Sequence, residues 1–329
     1  MAELWDVLGA EGASAESVTL PMVRYRITFE VTEPVQLPEY SGSTLRGAFG
    51  TALRLTACMT RQKDCKTCPL YRSCPYTEIF ETPPPEKHAL QKFSQIPNAY
   101  VIEPPNWGRR AYERGEKLEF HFVLFGRALR HLALVVYAMQ RAFAHDVGHG
   151  RAIFRGLAVE SGGDMRPLIH SMDERIPEHE ETTTVRLPAG GNLTLNVETP
   201  LRLQKNGTPL QPHEIGAHAL LMAMMRRIAL IYEFQCREPL ALDFRALSEA
   251  AEDVQIKTDL VWKDWTRYSN RQQKRMNLGG VVGWIELMAL PRPFAALCAC
   301  STLTHIGKNA TFGLGRVSLA NDGQRRELG

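Results

Sequence analysis

Long apolar runs are missing from this 329-residue chain. The longest, residues 132–139, falls far short of the roughly 20 apolar residues that a helix needs to cross a bilayer, so no membrane protein is expected. Residues 1–20 carry Glu3, Asp6, Glu11 and Glu16 and no apolar core; the expectation is a chain without a signal peptide, placed in the cytoplasm. Net charge is almost missing too. The 39 basic residues exceed the 36 acidic ones by only 3, so a site for a polyanion has to come from local clustering. A Walker-type G-x4-G-K-S/T loop is absent, which removes the P-loop class. A GxSxG elbow is also absent, and no carboxylate pair stands out by spacing, so serine-nucleophile and acid/base carboxylate chemistry lose their support. Histidine does not occur before His88. What remains, 44% hydrophobic and 23% charged, is an ordinary globular composition with length enough for two domains.

Cysteine is present in an odd number, seven, and four of the seven crowd into one short segment. That argues against a disulfide framework and for a metal site in a reducing compartment. The four read Cys58-x6-Cys65-x2-Cys68-x5-Cys74 among Asp64, Lys66, Thr67, Pro69 and Pro75. Four thiolates in a turn-rich segment can close a tetrahedral shell, which suits structural zinc; an iron–sulfur cluster takes the same donors and is the competing occupant. Cys298 and Cys300, two apart on a predicted helix, and the solitary Cys236 read as structural.

Near the C-terminus the stretch His305-Ile306-Gly307-Lys308-Asn309-Ala310-Thr311-Phe312-Gly313-Leu314-Gly315-Arg316 sets three glycines among Lys308 and Arg316. Such a backbone can approach a phosphate closely; a tight helix-to-strand connection would use the same residues. Upstream, Lys257, Lys263, Arg267, Arg271, Lys274 and Arg275 outnumber Asp259 and Asp264, with Trp262, Trp265 and Tyr268 interleaved. Cations for phosphates and flat rings for unstacked bases are what single-stranded RNA recognition uses. A solvated hairpin whose aromatics belong to the core is the alternative. Residues 276–283, with Gly279, Gly280 and Gly283, predict a bent or bulged strand.

The periodicity gives a strand over 23–31, with Val23, Tyr25, Ile27, Phe29 and Val31 alternating with polar residues. A helix follows, with Leu45, Ala48, Phe49, Ala52 and Leu53 on one face, Ser43 or Thr44 as its cap, and close packing as the reason for Gly47 and Gly50. After the cysteines comes a proline-rich irregular excursion to residue 107. Strands near 98–103 and over 118–125, a helix over 127–144 and a strand over 152–159 complete β-α-β-β-α-β, the ferredoxin-like pattern. Residues 28–37 align with 194–203, sharing Thr, Val, Pro and Leu at identical spacing, and Ala217, Leu220, Leu221, Met224, Ile228 and Ile231 stripe the helix that follows. Gly150-Arg151 before Phe154 and Gly156 parallels Gly307-Lys308 before Phe312 and Gly315. This duplication predicts an α+β chain of two tandem ferredoxin-like, RRM-like domains. Their limits are 1–172, with the cysteine module and proline-rich insertion at 58–107, and 182–329, with the acidic stretch 173–181 between them.

Arg267-Tyr268-Ser269-x-Arg271-Gln272, then Leu278-Gly279-Gly280-x-x-Gly283, then Gly307-Lys308-x-x-Thr311-Phe312-Gly313-Leu314-Gly315 resemble the C-terminal signature of the CRISPR-associated RAMP endoribonucleases that process precursor CRISPR RNA. Leu45-Arg46-Gly47-Ala48-Phe49-Gly50, the four cysteines and Cys74-Pro75-Tyr76 resemble a cysteine-containing branch of that family. The resemblance implies two ferredoxin-like domains, CRISPR repeat RNA and the guide cut from it as ligands, and other Cas proteins of an effector complex as partners. It also implies a cut without a catalytic metal, in which the ribose 2'-OH attacks the scissile phosphate. Such a cut needs a base, an acid and a cation. Members often place a histidine in the loop or helix after the first strand, and this chain has none there. The catalytic candidates are therefore His305, Tyr40, Arg46 and His88, with Lys308 or Arg46 as the phosphate cation; for His305 the alternative is a bond to a carbonyl at a helix end. Lys257, Lys263, Arg267, Tyr268, Arg271, Lys274, Arg275, Gly307, Lys308, Gly313, Gly315 and Arg316 are the RNA-binding candidates. A non-catalytic subunit that holds CRISPR RNA, and an interaction protein that docks through the cysteine module, are the competing function classes.

Overall fold

The computed structural model describes Leu4, Leu8 and residues 15–86, 96–108, 111–269 and 274–320, with backbone alone over 266–269 and 274–277. The chain divides into two units. One holds Pro21–Thr183 together with Leu230–Glu238; the other holds the residues up to Leu20, Thr184–Ala229 and those from Pro239 on.

The first unit contains β1 (Met22–Glu33), α1 (Gly42–Ala57), α2 (Pro75–Phe80), β2 (Tyr100–Glu103), β3 (Lys117–Phe125), α3 (Leu132–His145), β4 (Arg151–Ser161) and β5 (Asp164–Ile169). Its antiparallel sheet runs β2-β3-β1-β4-β5, the ferredoxin-like order with one extra edge strand. The alternation read in β1 is real: Val23, Tyr25, Ile27, Phe29 and Val31 are buried while the residues between them are half-buried. Phe29 stacks on Phe143 of α3 at 4.1 Å between centroids, which ties the central strand to the covering helix. The opposite face of β1 is polar and internally paired. Arg24 meets Glu103 of β2 and Glu160 of β4, each at 3.0 Å, Arg155 meets Glu30 at 3.1 Å, and Thr28 donates to Glu119 at 2.8 Å.

Helix α1 buries Leu45, Phe49, Ala52 and Leu53 as its spacing predicts. Its N-cap, however, is Ser41 rather than Ser43 or Thr44, and Ser41 makes no side-chain capping bond. The two glycines also separate. A Cβ at Gly50 would run into the Phe80 ring, so close packing explains that glycine, whereas Gly47 is exposed with nothing within 4 Å. Phe80 then stacks on Tyr76 and Tyr100, at 5.5 and 5.6 Å, and so carries α2 onto the sheet. The helix predicted over 127–144 starts as a 3-10 turn, Gly126–His131, before α3. Strand β5 escaped the sequence reading because Asp164, Arg166 and Pro167 break its apolar alternation.

The second unit contains β6 (Gly191–Leu201), α4 (Ala217–Ile231), α5 (Phe244–Glu252), β7 (Gln255–Lys263), β8 (Gly280–Leu290), α6 (Arg292–Thr304) and β9 (Val317–Leu319). Its sheet order, β7-β8-β6-β9, repeats that of the first four strands of the other unit. The stripe Ala217, Leu220, Leu221, Met224, Ile228 and Ile231 is buried throughout. The predicted irregularity is shared between two strands: Gly283 in β8 has φ +136°, and opposite it Val197 pairs with Gly283 and Leu201 with Val281, so β6 is bulged between those pairs. Helix α5 was not anticipated. Asp243 caps it, accepting from the backbone nitrogens of Arg245 and Ala246 at 3.1 and 2.9 Å.

Candidate nucleic-acid interface

In the second unit, α6 ends where His305 turns to φ 58° and ψ 173°, and the Gly-rich loop returns along the end of β6. Three backbone bonds and one side chain fix it. Ile306 N donates to Gly315 O at 2.9 Å, Gly315 N to Pro200 O at 3.1 Å and Lys308 N to Arg202 O at 3.0 Å. Thr199 Oγ1 donates to Gly313 O at 2.7 Å and accepts from Arg316 N at 2.9 Å. Gly315 has φ +68°, and a Cβ there would strike the Ile306 carbonyl; one at Gly307 would stand 2.6 Å from the Arg202 carbonyl. These two glycines thus answer to the protein's own backbone, as the tight-connection alternative had it. Lys308 is exposed on the outside of this loop, and Arg316 pairs with Glu198 at 3.0 Å.

His305 is fully buried. Its Nδ1 donates to the Leu314 carbonyl at 3.2 Å, so it braces the base of the loop from inside, which is the alternative weighed against an RNA contact. Arg227, which the sequence did not single out, supports the same end of α6: its Nε donates to the Thr304 carbonyl at 2.7 Å. Burial pulls this guanidinium down to about 10.

Among the basic candidates before the loop, Lys257 stands exposed on the edge strand β7 and Lys263 is half-buried at its end. Beyond β7 a two-stranded hairpin, Thr266–Ser269 with Lys274–Asn277, pairs Arg267 with Met276, Tyr268 with Arg275 and Ser269 with Lys274. Arg271 and the side chains of the other four lie outside the described residues. The interleaved aromatics divide: Trp265 is buried, and Trp262 donates from Nε1 to Asp264 at 2.8 Å.

In the first unit, Tyr40 is 1% exposed with its ring 4.9 Å from that of Trp107, and Trp107 Nε1 in turn holds Glu39 at 2.6 Å. Arg46 lies over the Phe80 ring at 4.3 Å. Burial pushes the neighbouring Tyr100 hydroxyl up to about 12, against the opposing pull of the Arg46 cation. His88 is outside the described residues. Cys58, Cys65, Cys68 and Cys74 are free and line one small cavity. As placed, no group of three or more His, Cys, Asp or Glu side chains among the described residues stands close enough to hold a metal ion. Among the described residues no helix is long and apolar enough to cross a membrane.

Residues 195–317 match the family model of the CRISPR-associated endoribonuclease Cas6, and residues 20–182 match a model described as an N-terminal domain. An uncharacterized protein of Archaeoglobus fulgidus is 26% identical over 124 residues, which cover 38% of this chain and 40% of that protein. Two solved structures share the fold. A Cas6 product complex has a TM-score of 0.55 at 13% identity, over 91% of this chain and 100% of that one. A partial Cas6-RT-Cas1–Cas2 complex has a TM-score of 0.54 at 13% identity, over 93% of this chain and 47% of that one. This chain thus spans less than half the length of the latter protein and of the curated relative.

Proposed function

We propose that this chain, whose residues 195–317 match the model of the CRISPR-associated endoribonuclease Cas6, is an enzyme of that family that cuts precursor CRISPR RNA within the repeats, without a catalytic metal, and retains the guide. The observation that carries the reading is the family match over residues 195–317, which spans the whole Gly-rich loop with Lys308 on its outer side. In the proposed reaction the 2'-oxygen bonds to phosphorus as the bond to the 5'-oxygen breaks. A base takes the 2'-OH proton and an acid protonates the departing 5'-oxygen, leaving a 2',3'-cyclic phosphate and a 5'-OH. Lys308 supplies the cation for the charge that builds on the phosphate. Burial makes His305 and Tyr40 positioning residues, and the stacked Arg46 orients its helix. The proton transfer then falls to His88, the remaining histidine of the set.

Assembly with other CRISPR-associated proteins belongs to the same reading, since one similar structure is a complex with RT-Cas1 and Cas2. So does a cytoplasmic location, where such transcripts are made.

The test is to incubate the protein with its cognate repeat RNA in EDTA and identify the fragment ends. A single cut leaving a 2',3'-cyclic phosphate is expected, and His88→Ala should lower the single-turnover rate by roughly 10²- to 10⁴-fold. Tight binding without a cut would instead favour a non-catalytic RNA-holding subunit, a reading to which the burial of His305 and Tyr40 lends weight. Cleavage that needs a divalent ion would overturn the metal-free mechanism.

A further inference from the structure

The four clustered cysteines sit at the ends of successive backbone elements. Cys58 is the C-cap of α1, Cys65 opens the 3-10 turn Cys65–Thr67, Cys68 closes that turn, and Cys74 is the N-cap of α2. The turn is tied by Cys68 N donating to Cys65 O at 3.1 Å and by Asp64, whose carboxylate accepts from Lys66 N at 2.9 Å. A guanidinium nitrogen of Arg54 reaches the Lys63 carbonyl at 2.8 Å and holds the preceding loop to α1. All four sulfurs are free, and all four residues line one cavity of about 20 Å³, together with Thr60 and Tyr76.

We propose that Cys58, Cys65, Cys68 and Cys74 bind a single zinc ion in a closed, all-thiolate shell. Four sulfur donors with no water or open position make a structural site. Two sulfurs already have outer hydrogen-bond partners that suit thiolates: Arg61 N donates to Cys58 Sγ at 3.3 Å, and the Thr60 hydroxyl, which can donate to a thiolate, lies 3.3 Å from Cys68 Sγ. The shell would carry two negative charges net, and Arg54, Arg61, Lys63 and Lys66 surround it along the chain. An iron–sulfur cluster would use the same four donors, and metal analysis separates the two. On binding, each thiol gives its proton to solvent as its bond to zinc forms, and the four converge.

The ion would work at a distance from RNA chemistry. It would clamp the end of α1 to the start of α2, and α2 carries Phe80, the ring that fills the space at Gly50 and lies under Arg46. Zinc thereby fixes the helix on which Arg46 is presented. This inference stands apart from the cleavage reading and is read out without RNA.

Metal analysis of the full-length protein purified without chelator should give one zinc per chain. Replacement by cobalt(II) should produce the absorption of tetrahedral thiolate coordination. Titrating the folded wild type with a mercurial should release one zinc for every four thiols modified. Cys65→Ser and Cys68→Ser should each lose most of the zinc and lower Tm, while Cys236→Ser keeps both. The wild-type measurements stand even where a variant fails to fold. Metal-free protein with four reactive thiols, iron with acid-labile sulfide, or two disulfides within the module would each overturn the proposal.

Discussion

Each unit lays a late strand beside its first, β4 beside β1 and β9 beside β6, and in both a glycine turn passes close to the chain just after that first strand. In the first unit the turn is minimal: Gln36 N donates to Gly148 O at 2.8 Å, and a Cβ at Gly148, φ +63°, would strike the Gln36 carbonyl. In the second unit Arg202, the residue aligned with Gln36, accepts from Lys308 N instead, and a longer loop runs on to Gly315. The same closure thus has a short form that ends in itself and a long form that puts a lysine outside. The polar surfaces differ in the same sense. The first sheet pairs charges around Arg24 and Arg155, whereas on the second unit Lys257 and Lys308 are exposed. Duplication left one copy occupied with its own stability and the other with cations to offer.

The strongest way to break that comparison is Glu103→Ala. The Glu103 side chain is fully buried and Arg24 is only 14% exposed, so removing the carboxylate should cost about 3 kcal/mol, because the guanidinium keeps Glu160 but loses its buried partner. Denaturant unfolding measures it, and a loss within error would show that the paired face is not what holds the first sheet.

The two turn glycines come next. Gly315→Ala and Gly148→Ala should each destabilise the protein by roughly 1–3 kcal/mol through backbone strain. At a temperature where both variants stay folded, only Gly315→Ala should weaken repeat-RNA binding. Equal losses in filter binding would mean the short turn also meets RNA.

A smaller effect sharpens the electrostatic half of the contrast. Lys308→Ala should leave Tm unchanged yet reduce the slope of log K against log salt by about 1, as loss of one phosphate contact does. An unchanged slope would remove Lys308 from the interface. Smallest of all is Gly47→Ala. Nothing stands within 4 Å of its Cβ position, so the substitution should stabilise α1 by about 0.5–1 kcal/mol in thermal unfolding. If it weakens RNA binding instead, the bare backbone at Gly47 is itself a contact.

The duplication was legible because it rests on alternation and on paired Thr, Val, Pro and Leu, all local signals; β1 ends at Glu33 within the first aligned stretch and β6 at Leu201 within the second. Burial was not legible at His305 or Tyr40. Periodicity says which face a residue occupies and not how much protein lies above that face: Trp107, far along the chain, packs on Tyr40, and His305 is enclosed where the Gly-rich loop turns back to bring the Leu314 carbonyl onto its ring. The same limit applies to glycine. Gly47 and Gly50 look alike in the sequence, and only the position of Phe80, thirty residues on, tells a packed one from an open one.

Neither unit is a continuous length of chain, and this has a consequence for biosynthesis. Arg127 Nη2 donates to the Phe234 carbonyl at 3.0 Å and Gln235 Nε2 to Thr82 Oγ1 at 3.2 Å, so the first unit cannot be completed until residues beyond 235 have left the ribosome. The strand Ser17–Leu20, made near the beginning, waits in turn for Thr183–Arg186. Folding as two independent beads on a string is therefore closed to this chain. A fragment ending at residue 182 would lack part of its own interior, and the nascent protein must keep both halves open until translation has passed the middle of the second.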